Sequence, residues 1–528
     1  MWDDQLQLNV SNYASLLRIA LPSALCAVLL VRAALPQKPT KPPLPPGPKP
    51  LPIVGNALDI PIDKPSKKYA KWAKEYDSDI VHLGAFGNHF IILHNLEDVE
   101  ELFERRAAIY SDRPPIHTLE LVGFGYNVAF MRAGARWKLR RQYAQQAMRA
   151  EAVKELRPLQ EKSMNEMLIG LLETPHRFEE HHHRLIISLP LGLMYNYTPT
   201  LLRDPAVDAA VDSFEVGMKV ISPEGSMANV FPSLRHVPWT WTQRLANETQ
   251  RLGRIMKRGP LSKVHDDVSK GAGSSSLLGQ MMEKKGLMGL GPDEEDAWFD
   301  VAHTMQAGGS HMTISAAQTF FYLIATHPDV QAKAQKELDN VLGSHPRLPN
   351  LDDRPSLPYI EAIYREVLRW APSAPMGAPR VAPEEEVYKG FLIPKGSIIM
   401  ANIWSITHDE RRYTDPLSFN PDRFFDEEGK LNSDDRVLAY GFGRRLCVGR
   451  YLGHQQYGTG HSLWLMMATI LASFHIRPKT DAEGNEIPID DEFEEGGFIT
   501  QKTSFQCDIT PRSAEWRDVL ENIKSSEF

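Results

Sequence analysis

A chain of 528 residues is too long for a small module and long enough to bury a large core. Its formal net charge of -8 supplies no basic field, which argues against nucleic acid as a partner. The three cysteines, Cys26, Cys447 and Cys507, lie far apart with no CxxC pair. That spacing argues against a disulfide framework or a zinc cluster and leaves an isolated thiol to serve as an iron ligand or a nucleophile.

Residues Leu16 to Leu35 are mostly apolar and about long enough to cross a bilayer. Arg18 and Arg32 lie near the ends of the run, where long side chains reach the headgroups, and Pro22 is tolerable in a membrane helix. Asp3 and Asp4 precede the run while Arg32, Lys38 and Lys41 follow it, which puts the N-terminus outside and the body in the cytosol. An acidic start without a small-residue cleavage site favours an uncleaved anchor over a removed signal peptide or a buried helix. The expected division is an N-terminal tail and anchor over 1–36, a proline-rich hinge over 37–52, a catalytic body over 53–512 and a C-terminal tail over 513–528. In the hinge, Pro42-Pro43-Leu44-Pro45-Pro46-Gly47-Pro48 favours a stiff extended spacer.

The body reads as mainly α with small β-sheets. Short β-type runs occur at Ile80 to Leu93 and at Val387 to Met400, the latter with turns at Tyr388-Lys389-Gly390 and Pro394-Lys395-Gly396. Asp293 to Thr326 and Pro328 to Leu342 carry helical spacing and open with Asp or Pro. Lys270 to Gly291, rich in Gly, Ser and Met, reads as a flexible spacer between two halves of one catalytic domain.

The chemistry concentrates in Tyr440-Gly441-Phe442-Gly443-Arg444-Arg445-Leu446-Cys447-Val448-Gly449. The glycines before the cysteine allow a tight loop, and Gly449 lets the chain pass close beneath a flat ligand. Backbone amides there can point at sulfur and temper its electron donation, a lever on heme ligands. Arg445 is placed to pair with a carboxylate such as a heme propionate. Tyr451 to Ile476 reads as a long apolar helix whose N-terminus favours a thiolate. The residues by themselves also fit a plainer reading, a buried cysteine in a glycine turn.

This segment resembles the heme-binding loop of the cytochrome P450 family, FxxGxRxCxG, with Tyr440 where the family has Phe. The Tyr440 hydroxyl must then find a partner or water. The resemblance implies a P450 fold, an α-rich heme domain behind an N-terminal membrane helix, with heme b as cofactor. It implies Cys447 as axial ligand of the iron, Arg445 as a propionate partner, and Gly443 and Gly449 as glycines of the cofactor loop. Glu366-Val367-Leu368-Arg369 matches ExxR, and i,i+3 spacing sets both side chains on one helix face. Arg423, within Phe419-Asn420-Pro421-Asp422-Arg423-Phe424, matches PxRF and completes a Glu366–Arg369–Arg423 network suited to fixing one geometry. Any one of these pairs alone also fits a surface ion pair. Trp137 and Arg141 match WxxxR, and Arg380 matches a further propionate-binding position. Considered alone, Trp137 and Arg141 equally fit a half-buried indole beside a solvated cation. The landmarks run from Trp137 to Gly449, and the hinge and anchor extend the match to almost the whole chain. The tail from Gly496 to Arg512 and the phrase Leu357-Pro358-Tyr359-Ile360-Glu361-Ala362 resemble the fungal microsomal, secondary-metabolism (O-methylsterigmatocystin oxidoreductase-like) branch, which makes Cys507 a structural thiol.

The central helix departs from the family pattern (A/G)GxDT(T/S). The aligned stretch is Gly308-Gly309-Ser310-His311-Met312-Thr313, with His311 for the acid and Met312 for the alcohol. In the family those two groups position water and relay protons to oxygen under activation. Met312 has no proton to donate, whereas an imidazole titrates near neutral pH. His311 can relay, with Thr313 or Ser310 helping if the paired glycines unwind the helix; equally, His311 can hydrogen-bond within the core while Met312 lines the pocket. Both readings stay open at this point.

The resemblance implies a monooxygenase that inserts one atom of O2 into a small, largely apolar metabolite of terpenoid or polyketide type. Electrons would come from NADPH through NADPH-cytochrome P450 reductase, at the endoplasmic reticulum membrane with the catalytic domain cytosolic. Pocket residues are expected in Ile116 to Phe130, Val220 to Trp241, Ala302 to Ser310, Ser373 to Ala378 and Phe498 to Thr500, with Val122, Phe124, Met312, Met376 and Phe498 as lining. Pro232, Val237, Pro238, Trp239 and Trp241 suit a lip touching the membrane. The altered pair also fits a heme-thiolate isomerase, dehydratase or peroxide-driven enzyme, and a third reading is a heme-binding protein without turnover. The intact Cys447 loop and the intact Glu366 and Arg369 argue against that third reading.

Overall fold

The computed structural model describes residues 41–149, 157–199, 204–221, 227–231, 237, 240–289, 291–343, 346–450, 462–496 and 498–527. The expected anchor, with Cys26, and the lip residues Pro232, Pro238 and Trp239 lie outside the described residues. Among the described residues no helix is long and apolar enough to cross a membrane. The chain divides into two compact units, residues 1–44 with Glu386–Ile393, and residues 45–385 with 394–528. In the first, strands β4 (Glu386–Tyr388) and β5 (Phe391–Ile393) pair antiparallel. Lys389 and Gly390 turn between them with φ of 49° and 81°, the left-handed pair that a two-residue hairpin turn requires. The Leu392 N–H donates to the Pro43 carbonyl at 2.8 Å.

The longer helices of the second unit are α1 (Pro65–Glu75), α2 (Ala135–Ala147), α3 (Arg157–Glu173), α4 (Phe178–Tyr195), α5 (Pro205–Ile221), α6 (Trp241–Ser269), α7 (Leu277–Met288), α8 (Pro292–Thr326), α9 (Pro328–Leu342), α10 (Pro358–Trp370), α11 (Ser462–Ser473) and α12 (Ala514–Glu527). Its main sheet runs in the order β1 (Ile80–Ala85), β2 (Asn88–Leu93), β6 (Ile398–Ala401), β3 (Arg380–Val381). The fold is mainly α with small sheets, as the pattern predicts. Helix α8 has 35 residues, about 52 Å of rise, and is apolar nearly all round because other helices cover it. Its start is fixed by Asp293, Glu294 and Glu295 in the first turn and by Glu294, whose carboxylate accepts the Gly291 N–H at 3.1 Å. Phe320 and Phe321 of α8, Tyr195 of α4 and Trp464 of α11 are fully buried in the core around it.

Three expectations are corrected. The spacer Lys270 to Gly291 contains α7, capped by Ser276, whose hydroxyl accepts the Gly279 N–H at 3.0 Å. Leu278 and Met281 bury the inner stripe of that helix, a periodicity that the flanking Gly and Ser residues obscure. The helix expected to reach Ile476 ends at Ser473, and residues 451–461 of it lie outside the description. From Phe474 the chain is strand β7 (Phe474–Pro478), held by antiparallel pairing with β10 (Cys507–Pro511). The expected tail 513–528 carries α12, which packs Trp516 and Leu520 into the core. Cys507, the first residue of β10, is buried.

Candidate active site

The cysteine loop is built around close main-chain approach. Gly443 has φ of 56°, and a Cβ there would stand 2.0 Å from the Phe103 carbonyl oxygen, so a side chain is excluded. The Cys447 N–H donates to the Tyr440 carbonyl at 3.0 Å, closing the loop. Its sulfur receives the N–H groups of Gly449 and Arg450. The Cys447 side chain is exposed although dense protein surrounds it. That surrounding mass pushes the thiol pKa up, while the two amides and the Arg141 and Arg450 cations pull it down. A thiolate here is therefore hydrogen-bonded from two amides, the arrangement that tempers electron donation to a metal. Tyr440 finds its partner in α10, where the Tyr364 hydroxyl lies 3.0 Å from its own.

Four guanidinium groups gather beside this loop. Arg380 donates to the Tyr110 and Phe442 carbonyls at 3.0 and 2.9 Å. Arg445 donates to Ser111 and Met131 at 2.8 Å each, and its plane lies 3.8 Å over the Trp137 ring. Arg141 donates to the Leu446 carbonyl, and its buried Nε meets no hydrogen-bond partner among the described residues. Arg113, unmarked by any sequence motif, donates to Ala129, Ala378 and Pro379. Burial and the neighbouring cations bring Arg380 down to about 9, and burial chiefly brings Arg445 to about 10. Arg113 is lowered well below its ordinary value, by burial and then by Arg380 and Arg445. Arg380 and Arg445 stay charged at neutral pH. Asp112 is the nearby acid, and it is engaged by Arg132 at 2.7 Å. A cation cluster with so little local compensation fits a ligand that brings two carboxylates, as heme b does.

Farther along α10, Glu366 is fully buried and paired with Arg369 at 2.6 Å and Arg423 at 3.0 Å. It also accepts the Asn420 N–H at 2.8 Å. The remaining guanidinium donors reach the carbonyls of Thr407, Pro416, Thr414, Asp415 and Ser418. The structure thus brings the three expected network residues together. Sequence reading missed a second set, centred on Glu361 of the same helix and reaching Arg354 in the turn before it. Glu361 pairs with Arg354 at 2.6 Å and Arg365 at 3.3 Å, all three nearly inaccessible. The i,i+4 spacing of Glu361 and Arg365 was the available signal.

Helix α8 runs unbroken through Gly308 and Gly309, so the unwinding named as the condition for help from Thr313 or Ser310 is not seen. Ser310 donates to Gln306 O at 3.1 Å and Thr313 to Gly309 O at 3.2 Å, so both hydroxyls are engaged within the helix. The faces differ. Gly309 is exposed, Gly308, Met312 and Thr313 partly so, and a Cβ on either glycine would meet nothing within 4 Å. Ser310 is fully buried. His311 is buried on another side, with Nε2 3.1 Å from Val211 O of α5, Nδ1 3.4 Å from Ala307 O and its ring stacked 4.3 Å from Phe214. Burial brings its pKa down to about 4, so it is neutral at pH 7. The loop Asn127–Met131 joins this helix to the cysteine loop, since Arg445 reaches Met131 and Val128 donates to the Thr304 hydroxyl at 3.1 Å.

The expected lining residues separate into groups. Val122 and Phe124 share an apolar cluster with Phe214, Met218 and Ala307, and Phe498 packs against it. Met312 belongs to the open side of α8, where its carbonyl accepts the Ser373 hydroxyl at 2.8 Å. Met376 lies instead in the cluster of Tyr69, Trp72, Val81 and Ile92 against the sheet.

Known proteins agree with this architecture. The cytochrome P450 family model matches residues 45–507. Cytochrome P450 monooxygenase 98 of Postia placenta is 35% identical over 498 residues, covering 92% of this chain and 93% of that one. Cytochrome P450 monooxygenase COX1 of Coprinopsis cinerea is 34% identical over 517 residues, 94% and 98% of the two chains. Cytochrome P450 monooxygenase claR of Ampulloclitocybe clavipes is 33% identical over 490 residues, 90% and 88%. A cysteine loop, a cation cluster and a glycine-faced central helix in one matched chain leave one conclusion, that it belongs to the cytochrome P450 family of heme-thiolate monooxygenases, which bind heme b through a cysteine thiolate.

Proposed function

We propose that Cys447 is the axial ligand and that the enzyme hydroxylates a small, neutral, largely apolar metabolite, drawing electrons from NADPH through a flavoprotein reductase. The observation that carries the ligand assignment is the pair of amides at the Cys447 sulfur beside the buried guanidinium groups of Arg113, Arg380 and Arg445 and the half-buried one of Arg141. Heme supplies the oxidising chemistry when bound; Arg445, Arg380, Arg141 and Trp137 hold its propionate edge. The apolar character of the substrate follows from Val122, Phe124, Phe214 and Phe498, which offer dispersion and water exclusion and no charge. Thr313 takes the proton-handling role, because its hydroxyl is on the partly exposed face of α8 while Ser310 and His311 are turned inward.

Reconstitution with NADPH-cytochrome P450 reductase and a panel of terpenoids and polyketides tests this reading. It expects NADPH-dependent oxygen uptake with a hydroxylated product. Turnover of a panel compound with neither NADPH nor O2 consumed would instead establish the redox-neutral isomerase or dehydratase reading. Cys447→Ala is expected to abolish the thiolate-type band of the reduced carbon monoxide complex, and an unchanged band would remove the ligand assignment.

Attachment to the endoplasmic reticulum membrane belongs to the same proposal. The apolar run Leu16–Leu35 supports it, as do Val237 and Trp241, exposed by 43% and 48%. A chain lacking residues 1–36 is expected to appear largely in the soluble fraction after cell lysis, and full retention in membranes would assign attachment to the lip.

A further inference from the structure

His311 occupies the place of the family acid, yet its ring is held by α5. Val211 and Phe214 are one turn apart on α5 and so share a face. The first offers a carbonyl at 3.1 Å to Nε2, and the second stacks on the imidazole at 4.3 Å and 23°. A carbonyl has two lone pairs, so Val211 O can accept this bond in addition to its helical one. A neutral imidazole has one N–H, and the shorter contact is to Val211 rather than to Ala307 of its own helix. The same face of α5 carries Ala210, Phe214 and Met218 into the cluster of Val122, Phe124 and Ala307. Gly217 presses on that cluster so closely that a Cβ would come 2.5 Å from the Phe124 ring. Helix α5 therefore covers the apolar cluster, and His311 ties it to the central helix from inside.

We propose that His311 is a positioning residue, a clasp between α8 and α5 that sets how readily the apolar cluster opens to an incoming molecule. The inference rests on the cluster being the substrate side of the site. It gives the departure from the family pattern a purpose: the side chain at that position has exchanged proton traffic for control of the cover.

Three variants separate the parts of the clasp. His311→Phe keeps the ring and removes the donor, His311→Gln keeps a donor and removes the ring, and His311→Ala removes both. Amide hydrogen exchange on the intact protein is expected to speed up in α5 roughly tenfold for His311→Phe and more for His311→Ala, with α9 unchanged. His311→Gln should recover part of the protection. Binding of 4-phenylimidazole, followed through the Soret shift, should show on-rate and off-rate rising together with little change in Kd. Unchanged exchange in α5 for both His311→Phe and His311→Ala overturns the clasp, whether or not peroxide release per NADPH rises. Should His311→Ala fail to fold, His311→Phe alone decides. Failure of the monooxygenase reading would appear separately, as wild-type protein without NADPH-dependent oxygen uptake, and would leave the exchange result standing.

Discussion

Thr313 carries a hydroxyl on the partly exposed face of α8, with its proton directed to Gly309 O. Replacement by Val keeps the shape and removes the proton. Peroxide released per NADPH is expected to rise several-fold, in the range that loss of one proton-transfer group gives, while heme content stays the same. A peroxide assay beside a carbon monoxide spectrum checks both. Tyr440 poses a different question, since its hydroxyl meets that of Tyr364 deep in the protein. A net hydrogen bond contributes about 1 kcal/mol, and removing one member of a pair costs more than removing both. Urea unfolding of Tyr364→Phe, Tyr440→Phe and the double variant should therefore show coupling of about 0.5 to 1.5 kcal/mol, and additive losses would dismiss it. What the sequence reveals at this scale follows distance along the chain. Glu366 and Arg369 are three apart, so helical spacing alone pairs them. Tyr364 and Tyr440 are separated by 76 positions, and Arg113 meets Ala378 and Pro379 from 265 and 266 away, so nothing local announces either.

Helices α8 and α9 are legible because long apolar spacing is bounded by Asp, Glu and Pro, and both lie within one residue of their expected limits. The strands β1 and β2 are legible for a similar reason, a short β-branched run broken at Phe86-Gly87. Helix α7 was hidden because its Gly and Ser neighbours suggest flexibility while only its cap and inner stripe indicate order. Ser276→Ala removes that cap. A loss of about 1 kcal/mol is expected, localised as faster exchange over Leu277–Met288, and an exchange pattern identical to wild type would show the cap to be dispensable. The end of α11 was misjudged because an apolar run of that kind suits helix and strand alike, and the decision belongs to β10, which pairs Ile509 with Ile476.

Across the molecule, buried imidazoles set the acid limit of stability. Burial lowers His94 and His311 to about 4 and His182 well below its ordinary value. Unfolded, each titrates near 6.5 and then binds a proton that the folded state refuses. Their contribution is complete above pH 6.5 and is lost as pH falls toward 4, by up to about 1.4 kcal/mol per group for each pH unit. Urea midpoints should decline steadily from pH 7 to 4.5, and a flat profile would contradict the burial. The mainly helical character with small sheets was legible because helical period and cysteine loop are both short-range signals. The cation cluster was only partly so, because it assembles from four separated segments.

That cluster has a bearing on the life of the protein in a cell. Arg113, Arg141, Arg380 and Arg445 crowd together, so the folded protein without its cofactor carries an internal repulsion that the two propionates of a bound heme would relieve. Whatever binds only the native state deepens its free-energy well by mass action. Starving cells of porphyrin is therefore expected to lower the steady-state level of this enzyme, through proteolysis of copies left without their cofactor, and an unchanged level on an immunoblot would uncouple the two.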